Sequence, residues 1–245
     1  MRSTPKARAS CRTIGCLVVA VLLAAAFVYR ATHHRAPLFD VNLYRTRSYL
    51  VGTIGSILFA IAFFGWLVQL PNFLQTQWHY SVLRAGFALA PGPALAAVLT
   101  PILGRFADRI GHRKLTSVCS LIGAVGLLLG RLAHLSPNYV SAILPQTLAM
   151  GFAAATGFSV MVGASMRDIT PRNYGMAGAG RNTAFQLGVA LGIAICVAVV
   201  GRPAIGQATL NAHRNNWTVG AASLVVLAAL FAFAYPAAAK DKPSA

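Results

Sequence analysis

The sequence predicts an all-α membrane protein of about seven transmembrane helices. Of its 245 residues 57% are hydrophobic and only 10% are charged, and the apolar residues come in long blocks separated by short basic segments. A soluble domain of this length would distribute its apolar residues at the period of each element instead of massing them in runs. The formal net charge of +17 invites a nucleic-acid reading. That reading fails because the cations sit in connectors between apolar runs and form no stripe with interleaved aromatics. There is no Glu, and the four acids, Asp40, Asp108, Asp168 and Asp241, all lie outside the apolar runs. Cys11, Cys16, Cys119 and Cys196 lack metal-ligand spacing, so no metal or cofactor is expected. An intramembrane enzyme needs a Ser/His, Glu/His or paired-Asp constellation within its spans, and none is visible, so no enzymatic activity is expected.

Residues 1–13 form a basic leader with Arg2, Lys6, Arg8 and Arg12. Ile14–Tyr29 is just long enough to span, and either a signal peptide or a retained helix fits it. Residues 14–47 as a whole then comprise this extra helix and a basic cytoplasmic connector with Arg30, Arg35, Arg45 and Arg47. His33 and His34 lack a third ligand and read as part of a solvated connector.

The next span covers about Ser48–Leu70 and is expected to end at Pro71. Gln69, Asn72 and Gln75 make a polar edge that either lines a wet cavity or marks the outer membrane surface. Ala85–Leu103 contains Pro91-Gly92-Pro93, which must kink or break the helix and forms a candidate hinge or cavity wall.

Gly104–Leu115, GRFADRIGHRKL, follows as a basic knot between two apolar runs, the pattern of a short cytoplasmic loop. Its spacing also allows a latch between helical bundles. Gly104 and Gly111 would permit close backbone approach, Asp108 would face a helix N-terminus or an Arg, and Arg109 and Arg113 would complete the set. A plain basic loop is the alternative.

Thr116–Leu132 carries Gly126 and Gly130 in GxxxG spacing, a helix-packing signal. Tyr139–Met166 is rich in small residues and has a polar notch at Pro145-Gln146-Thr147. In Ala177–Val200, Asn182 and Gln186 share a face at i, i+4, and Gly188 and Gly192 repeat the GxxxG spacing. The last span is about Trp217–Tyr235, and residues 239–245 form a short tail with Lys240 and Lys242.

With Gly104–Lys114 inside, the segments on the inner side hold thirteen Lys and Arg and the outer loops hold Arg84, Arg131, Arg202 and Arg214. This bias predicts six spans with a cytoplasmic C-terminus, in the inner (cytoplasmic) membrane of the cell. The first span disagrees, since its four leading cations would then lie outside.

PLFD-x-x-L-Y-R (Pro37–Arg45) before a span, LPNFLQ (Leu70–Gln75) closing it, the knot Gly104–Leu115 and the stretch Gly178–Gly192 occur here in order. Together they resemble the C-terminal half of a major facilitator superfamily transporter, specifically a fourteen-helix drug:proton antiporter. The resemblance implies that residues 48–238 form a six-helix half built as a 3+3 inverted repeat, with the first span as a linker helix. The family commonly has an Arg where this chain has Phe185, which argues against a charged role there.

The resemblance further implies a proton-coupled multidrug efflux antiporter that moves small organic molecules by alternating access. Gln69, Gln146, Asn182 and Gln186 are the candidate cavity residues. The expected partners are the lipid bilayer, a small organic substrate, and a separate N-terminal half or another copy of the chain, with no nucleic acid. Proton-coupling carboxylates of such transporters sit mainly in the N-terminal half, and no acid lies within a span here, so this chain alone is expected not to be a complete pump. The competing expectation is a non-transporting membrane remnant or interaction subunit.

Overall fold

The structure is a computed structural model that describes residues 41–201 and 206–236. The leader, the span predicted over Ile14–Tyr29, the connector as far as Asp40, Arg202 and the C-terminal tail lie outside the described residues, as do the side chains of Val41, Asn42 and Asp108. Among the described residues every regular element is a helix, and six helices are long and apolar enough to cross a membrane. They are α1 (Arg47–Gln77), α2 (Val82–Ala107), α3 (His112–Leu132), α4 (Tyr139–Met166), α5 (Pro171–Val200) and α6 (Gln207–Ala234).

α1 does not end at Pro71. It continues for another turn and a half to Gln77. A proline within a helix forfeits one backbone hydrogen bond, a loss that neighbouring groups offset in membrane helices. Here Leu70, Phe73, Leu74 and Gln77 stay buried past the proline, and Phe73 packs edge-on against Trp217 of α6 at 5.3 Å. Tertiary packing thus outweighs the local breaker.

α2 is interrupted where the Pro91-Gly92-Pro93 turn predicts a break. One helical segment covers Val82–Leu89 and a second starts at Pro91. Pro91 occupies the first helical position, where its missing N–H would be unpaired anyway. Ala90 still donates to Gly86 O at 3.1 Å and accepts from Ala94 N at 3.0 Å, so the interruption is confined to one residue.

The basic knot is not a loop. The second segment of α2 runs on to Ile110, α3 begins at His112, and Gly111 alone separates them. Gly111 has φ 92° and ψ 138°, a backbone conformation that other residues adopt only at a cost. A Cβ there would meet nothing within 4 Å, so Gly111 serves the backbone angle and not a close approach. At Gly104 a Cβ would lie 3.6 Å from Ser159 Oγ, an ordinary contact.

α1 is the hub and packs on α5, α6 and the end of α4, while α3 packs on α4 and α6, and α2 on α4. The α1–α5 seam depends on glycine. At Gly188 a Cβ would sit 2.6 Å from the carbonyl oxygen of Ile57, and at Gly192 the same distance from that of Ile61. Two carbonyls one turn apart therefore face two glycines one turn apart, as the GxxxG spacing predicts. Gly126 and Gly130 likewise face α4, at Ala149 and Gln146. α4 carries one π-helical turn at Tyr139–Ile143 and another at Thr156–Val160.

α6 begins at Gln207, well before the predicted Trp217. The polar run Gln207–Asn216 masked this start. Its side chains are accommodated because they meet partners at the ends of α1 and α3, which a hydropathy reading does not see.

Candidate substrate-binding face

An aromatic cluster forms where α1, α4 and α5 meet. Phe158 of α4 lies edge-on to Phe59 and Phe63 of α1, with centroids at 5.3 Å in both pairs, and 6.0 Å from Phe185 of α5. Phe185 also stands 5.9 Å from Phe64. Phe185 is thus spent on aromatic packing, a role a guanidinium would fill only by cation–π contact.

Beside the cluster, α1, α2 and α4 enclose a cavity of about 230 Å³. Its walls include Phe63, Trp66, Met150 and Phe158, and the Gly92-Pro93 turn of α2 closes one side. Gly92 and Gly151 bring the two backbones together there, since a Cβ on Gly92 would lie 2.7 Å from Thr147 O and one on Gly151 2.7 Å from Gly92 O. The Trp66 indole N–H is buried and has no partner among the described residues. The cavity thus offers aromatic and small apolar faces, a surface suited to an apolar organic ring.

The four amides singled out in the sequence are not brought together. Gln69 is buried between α1 and α6, where its Nε2 donates to His213 O at 2.6 Å and its Oε1 accepts from Asn216 Nδ2 at 2.6 Å. It belongs to an interhelical network. Gln146 is fully buried against Gly130 of α3, and neither of its amide atoms has a partner among the described residues. Asn182 and Gln186 are exposed, one turn apart on α5.

Of the latch residues, Arg113 makes a described interhelical bond. Its guanidinium donates to Ala232 O at the end of α6, and one turn later Ser117 Oγ donates to Ala228 O at 3.0 Å. These bonds tie α3 to α6 within the bundle. Arg109 is exposed, and the side chain of Asp108 lies outside the described residues.

Sequence reasoning missed His213 and Asn216. A His inside a span signals itself, but His213 lay in a stretch read as an outer loop. Trp66 was legible only as part of an aromatic end with Phe59, Phe63 and Phe64.

Residues 13–193 match the sequence profile of the Major Facilitator Superfamily. The chain belongs to that superfamily. Its six helices are consistent with half of a major facilitator fold. Among relatives in this superfamily, the multidrug export protein EmrB of Escherichia coli (strain K12) is 26% identical over 191 residues, covering 77% of this chain and 37% of its own. The multidrug resistance protein Stp of Mycobacterium tuberculosis (strain ATCC 25618 / H37Rv) is 29% identical over 208 residues, covering 83% of this chain and 37% of its own. Multidrug resistance protein 3 of Bacillus subtilis (strain 168) is 26% identical over 187 residues, covering 76% and 36% respectively. The chain therefore spans little more than a third of these major facilitator relatives.

Proposed function

We propose that these six spans are the C-terminal half of a proton-coupled multidrug efflux transporter, working by alternating access against a second six-helix bundle. One observation carries this reading: Asn182 and Gln186 are exposed one turn apart on a span that is otherwise strongly apolar. Two amides facing hydrocarbon would be left without hydrogen-bond partners, so their face belongs against water or protein. Burial also leaves two helices of the bundle largely uncovered. In their most apolar stretches only 11% of α2 and 17% of α5 is buried, against 61% for both α1 and α4.

The second bundle is an N-terminal half or another copy of this chain. The aromatic cavity between α1, α2 and α4 would contact a small organic substrate, with the Pro91-Gly92-Pro93 interruption as the hinge. Asp108, Arg109 and Arg113 beside Gly104 and Gly111 would latch the bundles at the cytoplasmic end, with the C-terminus on that side of the inner membrane. Coupling carboxylates would come from the partner bundle.

The experiment is efflux of a fluorescent aromatic dye from cells producing the chain alone and together with an N-terminal half, with membrane amounts compared by immunoblot. Energy-dependent efflux that Gln186→Leu abolishes at unchanged protein level supports the proposal. Equal dye retention in every arm, with protein present in the membrane, would leave a non-transporting interaction subunit as the better account.

A further inference from the structure

A cavity of about 960 Å³ lies at the basic end of the described bundle, between the α2–α3 turn, the end of α4 and the end of α6. Arg113, Lys114 and Arg167 line it together with His112. Arg167 Nε is 3.9 Å from Asp168, the only ion pair among the described residues, so among those residues Asp168 is the one carboxylate set against Arg113, Lys114 and Arg167. Apart from Ser117 and Tyr235, whose hydroxyls donate to the Ala228 and Ala164 carbonyls, the rest of the lining is apolar, and Ile110 and Val118 are 50% and 54% exposed.

We propose that this cavity binds the headgroup phosphate of an anionic phospholipid, with the first carbons of an acyl chain on Ile110 and Val118. Because the helices cross the membrane, their basic ends stand at headgroup depth, where clustered Lys and Arg between helices recognise anionic lipid. The size is that of a small-molecule site and far exceeds a single phosphate. The apolar lining decides the source. A free phosphate gains nothing from exposed Ile and Val, whereas a lipid covers them and leaves its charge among the cations.

The site carries a regulatory consequence. Its walls come from the end of α2, from α3, from Arg167 just past α4 and from the end of α6, so a bound lipid would bias how these helices sit at their basic ends.

The test uses the full chain purified in mild detergent, with retained lipid counted by native mass spectrometry. Dioleoylphosphatidylglycerol and dioleoylphosphatidylcholine are offered in turn, with inorganic phosphate as competitor. Retention of phosphatidylglycerol should exceed that of phosphatidylcholine by about tenfold or more. It should fall about thirtyfold in Lys114→Gln/Arg167→Gln, taking roughly 1 kcal/mol per cation at the surface. Arg113 is left in place because its bond to Ala232 O also joins α3 to α6. Arg131→Gln, at the opposite end of α3, should leave retention unchanged. Equal retention of the two lipids, an equal loss in Arg131→Gln, or displacement by inorganic phosphate alone would each overturn the proposal.

Discussion

Gln69 in α1 holds His213 in α6 at two points: its Nε2 donates to the His213 carbonyl at 2.6 Å and lies 3.2 Å from the ring Nδ1. Asn216 completes the set by donating to Gln69 Oε1 at 2.6 Å. With Nε2 of Gln69 as the donor, Nδ1 of His213 is the acceptor, which puts the imidazole proton on Nε2. Phe73 and Trp217 close over the ring, with centroids at 5.2 Å and 6.4 Å. One glutamine thus uses every donor and acceptor of its amide to join the first and last described spans.

Gln69→Met should therefore destabilise the protein. It strands the Asn216 amide, the His213 Nδ1 and a backbone carbonyl in a buried site, at a cost of about 1–3 kcal/mol. Thermal unfolding in detergent, followed by tryptophan fluorescence, reads this as a lower midpoint.

Gln146→Met should have the opposite sign. Both amide atoms of Gln146 are buried without partners among the described residues, so replacing them with a thioether of similar volume should be neutral or stabilising, by up to about 1 kcal/mol. The same unfolding assay applies. A loss as large as that of Gln69→Met would contradict the difference between the two sites.

Gly188→Ala and Gly192→Ala should each cost about 1–3 kcal/mol by forcing α5 away from the Ile57 and Ile61 carbonyls. Gly175→Ala, near the start of the same helix, meets nothing within 4 Å and should be neutral or slightly stabilising through helix propensity. Comparing the three unfolding midpoints separates packing from propensity.

Gly111→Ala should lower stability by about 1–3 kcal/mol, because φ 92° is strained for any residue with a Cβ. There is open space at this site, so the loss should persist for every L-residue regardless of size. A series of Ala, Ser and Asn variants tests this; a loss that grew with side-chain volume would instead indicate a steric contact.

Tyr235, just beyond α6, donates its hydroxyl to Ala164 O at 2.9 Å, and burial holds its phenol above the ordinary range. A raised folded-state value means that its stabilisation is complete below the unfolded value of about 10 and is lost as pH rises through the folded one. Relative to Tyr235→Phe, the native protein should be more stable near pH 8, and the difference should shrink in alkaline solution. Unfolding midpoints of both proteins across that range provide the check.

Much of the fold was legible because membrane spans are written in runs of one polarity. The six spans, the interruption at Pro91 and the two GxxxG seams follow from local rules that need no partner. The errors share a cause. Pro71, the basic knot and the polar start of α6 all read as boundaries. Each is helical because packing or neighbouring polar groups compensate for the local penalty. The candidate site was less legible. Asn182 and Gln186 do share an exposed face of α5, as their spacing requires, but Gln69 and Gln146 turn inward, and no spacing rule says which neighbour a polar side chain will meet.

The sequence by itself determined that the chain crosses a membrane as helices, where the two GxxxG seams stand and which ends are basic, because hydrophobicity, backbone freedom and charge are properties of single residues and short runs. Only the tertiary structure decided that Gln69 is bound to His213 and Asn216, that Phe185 joins an aromatic cluster, and that the cations around the α2–α3 turn line a cavity. Those outcomes depend on which helices become neighbours. That is set by the packing of the whole bundle, in which contacts between residues over a hundred positions apart outweigh the preferences of either segment alone.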